Sequence, residues 1–219
     1  GRTDRGGETE LEIIHRVVGV GTDWLSRLQV GDQVSILGPL GNRFELPLQG
    51  HTAILVGGGV GIPPMLYLAA ALEGRGAVAF CGATTRDLMP LTIDSNSQAE
   101  EFTRHRVRSV LSTDDGTLGF RGFVTQALEK YLDSPPAPNA PRQIVIYTCG
   151  PEPMMKRVAE IAMARSIPCQ IAVERAMACG MGTCQSCVIR VQAPADPKGW
   201  VYKLACTDGP IFRAADLLW

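Results

Sequence analysis

Thr52-Ala-Ile-Leu-Val56 runs into Gly57-Gly-Gly-Val-Gly-Ile-Pro-Pro64, and Met65-Leu-Tyr-Leu-Ala-Ala-Ala-Leu72 follows. The first five residues are a short apolar run, the pattern of a strand buried on both faces. The last eight read as a helix. Strand, glycine-rich turn and helix together make the first unit of a dinucleotide-binding fold. In such a unit the glycines let backbone approach a pyrophosphate, and the helix N-terminus favours its charge. The spacing is not Gly-x-Gly-x-x-Gly, and a plain tight turn accounts equally well for one isolated loop of this kind.

The residues downstream repeat the grammar. Ala77–Cys81, Val107–Leu111, Gln143–Tyr147 and Cys169–Val173 read as further short strands, and Phe123–Leu132 and Met154–Arg165 as helices. A proline-rich surface connection spans 134–141. Strands alternating with helices imply a parallel sheet covered on both faces, with ligands at the carboxyl ends of the strands. Gly57–Gly61 and Cys149–Pro153 both stand at such ends.

Upstream the pattern differs. Leu11–Val18 and Asp32–Leu37 are strand-like, and Gly19–Ser26 reads as a glycine turn opening a short helix capped by Thr22 or Asp23. Gly38-Pro-Leu-Gly41 reads as a loop. This region is expected to be part of a small antiparallel β-barrel. About fifty residues are too few to close one, so a piece is expected to be missing at the front. The expected units are therefore 1–50, 51–173 and 174–219, the last small and β-rich.

The third unit holds Ala178-Cys-Gly-Met-Gly-Thr-Cys-Gln-Ser-Cys187, with three of the seven cysteines. Cys81, Cys149 and Cys169 border apolar runs and read as small buried hydrophobes. Cys179, Cys184, Cys187 and Cys206 form the C-x4-C-x2-C…C spacing of a plant-type [2Fe–2S] cluster. The four-residue gap has to curl around the cluster, which Gly180, Gly182 and Thr183 suit, and its N–H groups can face sulfur. Cys206 ends a strand-like run from Trp200. Zinc and a dithiol redox pair are the competing readings, although zinc sites usually carry two C-x2-C pairs and this chain has one.

Composition narrows the classes. The chain has 219 residues, 45% of them apolar, and a formal net charge of −1 from 21 basic and 22 acidic side chains. A sizeable core follows, and no nucleic-acid footprint does. No apolar run is long enough for a membrane helix, and no export signal opens the chain, which starts at Gly1. The expected location is the cytoplasm.

In order, these segments resemble the ferredoxin–NADP reductase superfamily and, within it, the electron-transfer subunits of type B dihydroorotate dehydrogenase. The matching stretches are Val17–Leu25, Gly38–Phe44, Gly57–Pro63, Cys149–Pro151, Glu174–Cys184 and Cys206–Pro210, which span nearly the whole chain. The resemblance implies FAD, NAD and a [2Fe–2S] cluster as cofactors. It implies that Ile14, His15 and Arg16 lie along the flavin, and that Gly21 and Thr22 bind the FAD pyrophosphate. Gly57, Gly58, Gly59, Val60, Gly61, Ile62 and Pro63 would receive the NAD pyrophosphate. Cys149, Gly150 and Pro151 would border the nicotinamide, and Cys179, Cys184, Cys187 and Cys206 would hold the cluster.

The family's Arg-Pro-x-Ser flavin motif is missing, in keeping with a lost front. Asp114 and Asp115 follow the third strand of the alternating series; they read equally as solvated turn residues or as carboxylates that would repel a 2′-phosphate and favour NAD over NADP. The implied partner is an FMN-containing, dihydroorotate-oxidising catalytic subunit in a heterotetramer; from position alone, docking is expected near Met181 and Gln185. The implied role is an electron relay to NAD in pyrimidine biosynthesis. Other readings are a related sulfide dehydrogenase or NAD(P)H–ferredoxin relay subunit, a cluster-bearing redox sensor and a zinc-stapled binding protein.

Overall fold

The computed structural model describes residues 2–5, 8–134 and 143–219. The proline-rich connection lies outside them, apart from Ser134. In chain order the elements are β1 (Arg2–Arg5), β2 (Glu8–Leu11), α1 (Val20–Ser26), β3 (His51–Gly58), α2 (Ile62–Ala71), β4 (Ala77–Ala83), α3 (Glu100–Thr103), β5 (Arg108–Thr113) and β6 (Phe120–Arg121). They continue with α4 (Val124–Leu132), β7 (Gln143–Cys149), α5 (Glu152–Ala164), β8 (Cys169–Ala172), β9 (Val188–Gln192), β10 (Trp200–Leu204), β11 (Ile211–Arg213) and β12 (Leu217–Leu218).

Seven strands form one sheet in the order β11-β8-β7-β3-β4-β5-β6. All neighbours are parallel except β11, which runs antiparallel to β8. The expected alternation is thus present, and its order places the first strand, β3, in the middle. The chain moves outward from β3 through β4 and β5, then restarts on the other side with β7. The ends of β3 and β7 therefore bound a topological switch point, where open α/β sheets leave a crevice.

Central burial explains the apolar character of β3. Ala53 and Leu55 enter one core cluster with Met65, Leu68, Phe102 and Tyr147, while Ile54 and Val56 enter another with Phe80, Leu128, Ile146 and Val158. Alternate side chains thus feed opposite faces. Helix α2 begins with Pro63 and Pro64 in its first turn, where a missing N–H costs nothing. A second sheet, β10-β9-β12, carries the C-terminal unit.

The front of the chain departs from expectation. The strand foreseen at Leu11–Val18 is instead β2, ending at Leu11 and pairing only with β1. No strand forms at 12–18 or at Asp32–Leu37. A strand is a pairing event, and among the described residues no strand runs beside 13–18 or 32–37. Their apolar side chains are consequently exposed, Ile13 by 64% and Val18 by 76%. Helix α1 forms as expected, but its N-cap is Gly19 rather than Thr22 or Asp23.

Candidate electron-transfer site

All seven cysteines are free thiols, and four of them stand in two pairs. In the first pair the Cys179 Sγ accepts the backbone N–H of Met181 at 3.5 Å and of Cys184 at 3.4 Å. The loop that makes this possible passes through left-handed residues, Gly180 at φ 70° and Gly182 at φ 85°. Such backbone turns several N–H groups inward. Cys184 Sγ lies 3.2 Å from the Ser186 hydroxyl, which also reaches the Ala176 carbonyl. The Ser186 hydroxyl and then the surrounding backbone N–H groups lower the Cys184 pKa to about 6. This favours the thiolate of Cys184, the form that binds metal.

The second pair is Cys187 and Cys206, both buried. Backbone N–H donation from Cys206 lowers the Cys187 pKa, and the Cys187 sulfur raises that of Cys206, so the two share a proton. The Ala205 N–H donates to the Cys187 carbonyl at 3.0 Å, extending the β9–β10 pairing into the cradle. Among the described residues, no three His, Cys, Asp or Glu side chains gather around one metal-ion position. A two-iron cluster takes two thiolates per iron. The two-and-two grouping and the sulfur-directed N–H groups fit that donor set.

The other half of the site lies at the switch point. Gly57 is in register with Cys149 across β3 and β7. Gly61 lies so close beneath that a Cβ would strike the Cys149 carbonyl and the Gly150 Cα. Glycine is required there for approach of backbone to backbone. Gly59 is different: its φ is 52° and its missing Cβ would point into open space. Beside it opens a cavity of about 440 Å³ lined by Gly58, Ala83, Asp114, Phe123, Met154 and Arg157, among others. Arg157 is held by Glu129 at 2.7 Å and Glu160 at 3.2 Å, so among the described residues Asp114 is the lining charge with no ion-pair partner. Asp115 points elsewhere; its carboxyl bonds the Thr117 hydroxyl and N–H, which hold it below the usual carboxylate range. The cavity, the open glycine and the starts of α4 and α5 make a cradle that fits a dinucleotide.

The expected site residues thus separate by role. Gly58, Gly59, Val60 and Pro151 border open space. Gly57, Gly61 and Ile62 are packed within the loop, and Pro63 opens α2. Cys149 is half-buried, and burial first, then the Glu174 charge, pushes its thiol up to about 11. Ile14 and Arg16 are exposed, and His15 is half-buried. Gly21 has open space around it. The Thr22 hydroxyl accepts the Val18 and Gly19 N–H groups and donates to the Gly19 carbonyl, so it closes its own turn. Phe123, Met154 and Arg157 escaped the sequence reading. All three sit at or near helix starts beyond strand ends, the place the strand-end rule would have searched.

A cysteine cradle and a switch-point cleft on one chain define an iron–sulfur oxidoreductase of the nicotinamide-dependent class. Residues 174–218 match the iron–sulfur cluster binding domain of dihydroorotate dehydrogenase B, and residues 55–160 match the oxidoreductase NAD-binding domain. The chain is 35% identical over 211 residues to the dihydroorotate dehydrogenase B (NAD(+)) electron transfer subunit of Caldanaerobacter subterraneus subsp. tengcongensis, covering 96% of this chain and 76% of that one. It is 38% identical over 214 residues to the subunit of the same name from Bacillus caldolyticus, covering 95% and 74%. A solved NADH-dependent reduced ferredoxin–NADP oxidoreductase, studied for flavin-based electron bifurcation, superposes with a TM-score of 0.75 at 30% identity, covering 94% of this chain and 67% of that one.

The chain belongs to the family of dihydroorotate dehydrogenase B (NAD(+)) electron transfer subunits. It is an NAD-dependent oxidoreductase component with an iron–sulfur domain. No helix among the described residues is long and apolar enough to cross a membrane.

Proposed function

We propose that this chain passes electrons from an FMN-containing, dihydroorotate-oxidising subunit through a [2Fe–2S] cluster and FAD to NAD. It would work in pyrimidine biosynthesis, as part of a heterotetramer in the cytoplasm. The observation that carries the reading is the pairing of thiols under directed N–H groups, on the same chain as a switch-point cleft. When bound, the cluster supplies one-electron steps, nicotinamide accepts hydride, and flavin connects the two.

The protein's own work is placement. Cys179, Cys184, Cys187 and Cys206 would hold the cluster, and the Met181 and Cys184 N–H groups stabilise charge on the Cys179 sulfur. Gly57 to Pro63 seat the NAD pyrophosphate against the N-terminus of α2. Cys149, Gly150 and Pro151 border the nicotinamide; the raised pKa of Cys149 keeps it a neutral thiol there. Asp114 in the cavity wall disfavours a 2′-phosphate and selects NAD. Ile14, His15 and Arg16, with Gly21 and Thr22, edge the flavin. The functional units are 1–50, 51–173 and 174–219. The cluster face near Met181, which is 64% exposed, and Gln185 meets the catalytic subunit.

A second reading is a relay that exchanges electrons between nicotinamide nucleotides and ferredoxin, favoured by the superposition on the ferredoxin–NADP oxidoreductase. The Glu174-Arg-Ala-Met-Ala-Cys179 stretch favours the dihydroorotate version. Anaerobic purification with iron, sulfide, zinc and flavin quantified tests the site, and Cys184→Ser tests its use. The variant should lose iron and sulfide, while full-length protein still oxidises NADH with an artificial acceptor. Zinc without sulfide in the unaltered protein would refute the cluster. Reduction by ferredoxin but not by the dihydroorotate-oxidising subunit would select the second reading.

A further inference from the structure

The loop from Leu37 to Asn42, which sequence alone makes a plain connection, touches both halves of the cysteine cradle. A Cβ on Gly180, between the first two cysteines, would meet Leu40 Cδ1 at 3.0 Å and Leu37 Cδ2 at 3.2 Å. Gly41 lies directly against the Gly209 carbonyl, three residues beyond Cys206. Asn42 completes the contact. Its Nδ2 donates to the Asp208 carbonyl at 3.0 Å and to the Ile211 carbonyl at 2.8 Å, and its Oδ1 accepts the Ile211 N–H at 2.8 Å. Its backbone N–H donates to Gly209.

This arrangement has a specific topology. Ile211 opposes Ala172 in the antiparallel pair of β11 and β8, where the ladder bond is made by Val173 to Pro210. Both main-chain groups of Ile211 therefore face away from β8, and Asn42 takes both. One amide stands in for a neighbouring strand. The turn it grips is stiff, because the Asp208 carboxylate accepts the Leu204 N–H at 2.8 Å and the Lys203 ammonium at 3.2 Å. A shift at Asp208 thus reaches Cys206 two residues away. Beyond Asn42 the chain is pinned again. The Glu45 carbonyl accepts the Tyr147 hydroxyl at 2.9 Å and the Gln170 amide at 3.0 Å, tying the segment to β7 and β8.

We infer that Asn42 is a positioning residue for electron transfer: it locks the cradle to the segment joining the N-terminal region to the sheet. With its cofactors bound, this lock would fix where the cradle stands relative to that segment, and so would govern electron transfer into the cluster. The inference rests on the cluster reading above. Its test uses full-length protein with cofactors bound, comparing Asn42→Ala and Asn42→Asp with the parent. Asn42→Asp keeps an acceptor for the Ile211 N–H and loses both donors.

Two quantities are read: the electron paramagnetic resonance spectrum of the reduced cluster, and the single-turnover rate of cluster reduction by NADH divided by the rate of ferricyanide reduction. With iron and sulfide retained, both variants should show a shifted spectrum. The rate ratio should fall severalfold, because electron transfer between two centres weakens as their separation grows. If a variant does not retain iron, Leu40→Ala loosens the same clamp at Gly180 and carries the same ratio. A lowered melting temperature with spectrum and ratio unmoved would make Asn42 a stability device and overturn the inference. Unaltered protein without iron and sulfide would overturn the cluster reading and the inference together.

Discussion

Leu11–Val18 and Thr52–Val56 are both rich in β-branched and aliphatic residues, yet one is exposed and the other is the centre of the molecule. Ile13, Ile14, Val17 and Val18 are 44–76% exposed, whereas Ala53, Ile54, Leu55 and Val56 are all at 0%. Intrinsic preference does not separate them. Partners do: β3 is bonded on both edges, to β4 and β7, and covered on both faces, while 12–18 has no strand beside it among the described residues. Burial of an apolar side chain is a property of what surrounds it.

The sharpest way to break this contrast is paired truncation in the 219-residue chain. Ile54→Ala should cost about 2–5 kcal/mol, because it removes packed methyl groups from a site that cannot collapse. Ile13→Ala should stay within about 0.5 kcal/mol. Chemical denaturation measures both, and equal losses would mean that 12–18 is packed after all.

The next effect lies at the end of the buried strand. Gly59→Val places a branched side chain in the open cradle at a left-handed φ. NAD affinity by calorimetry should fall about tenfold, or about 1.4 kcal/mol. Unchanged affinity would reduce the loop to a turn.

The smallest effect is a pH dependence confined to the buried sheet. Burial pushes the Cys169 thiol up to about 12 from 9.0. The folded chain then holds this proton more tightly than the unfolded one, so the contribution is complete below pH 9 and is lost as pH rises towards 12. The melting temperature should fall between about pH 8.5 and about pH 10.5, less steeply in Cys169→Ala than in the parent. Identical slopes would place the proton elsewhere.

Much of the site was legible because its chemistry is local. The C-x4-C-x2-C spacing puts three thiols on one short loop, and Gly180 and Gly182 between Cys179 and Cys184 let that loop curl. The glycines after Val56 and the Cys149-Gly-Pro151 turn were legible for the same reason: a strand end followed by residues without bulk. Phe123 and Arg157 were not, since an ordinary aromatic and an ordinary arginine carry no spacing signal. The two-and-two grouping with Cys206 was not legible either, because it depends on the β9–β10 register.

What the sequence by itself determined is the set of parts: a parallel α/β unit, a nucleotide loop, four cluster-type cysteines and a chain without a membrane-length apolar run. Local spacing, periodicity and turn chemistry suffice for these, because each involves residues within a few positions of one another. What only the tertiary structure decided is which parts meet. Strand order set the crevice between β3 and β7. Among the described residues no strand runs beside 13–18, and Asn42 came to rest on a turn 166 positions away. Contacts at that separation are selected by the packing of the whole molecule, and no local pattern of residues encodes them.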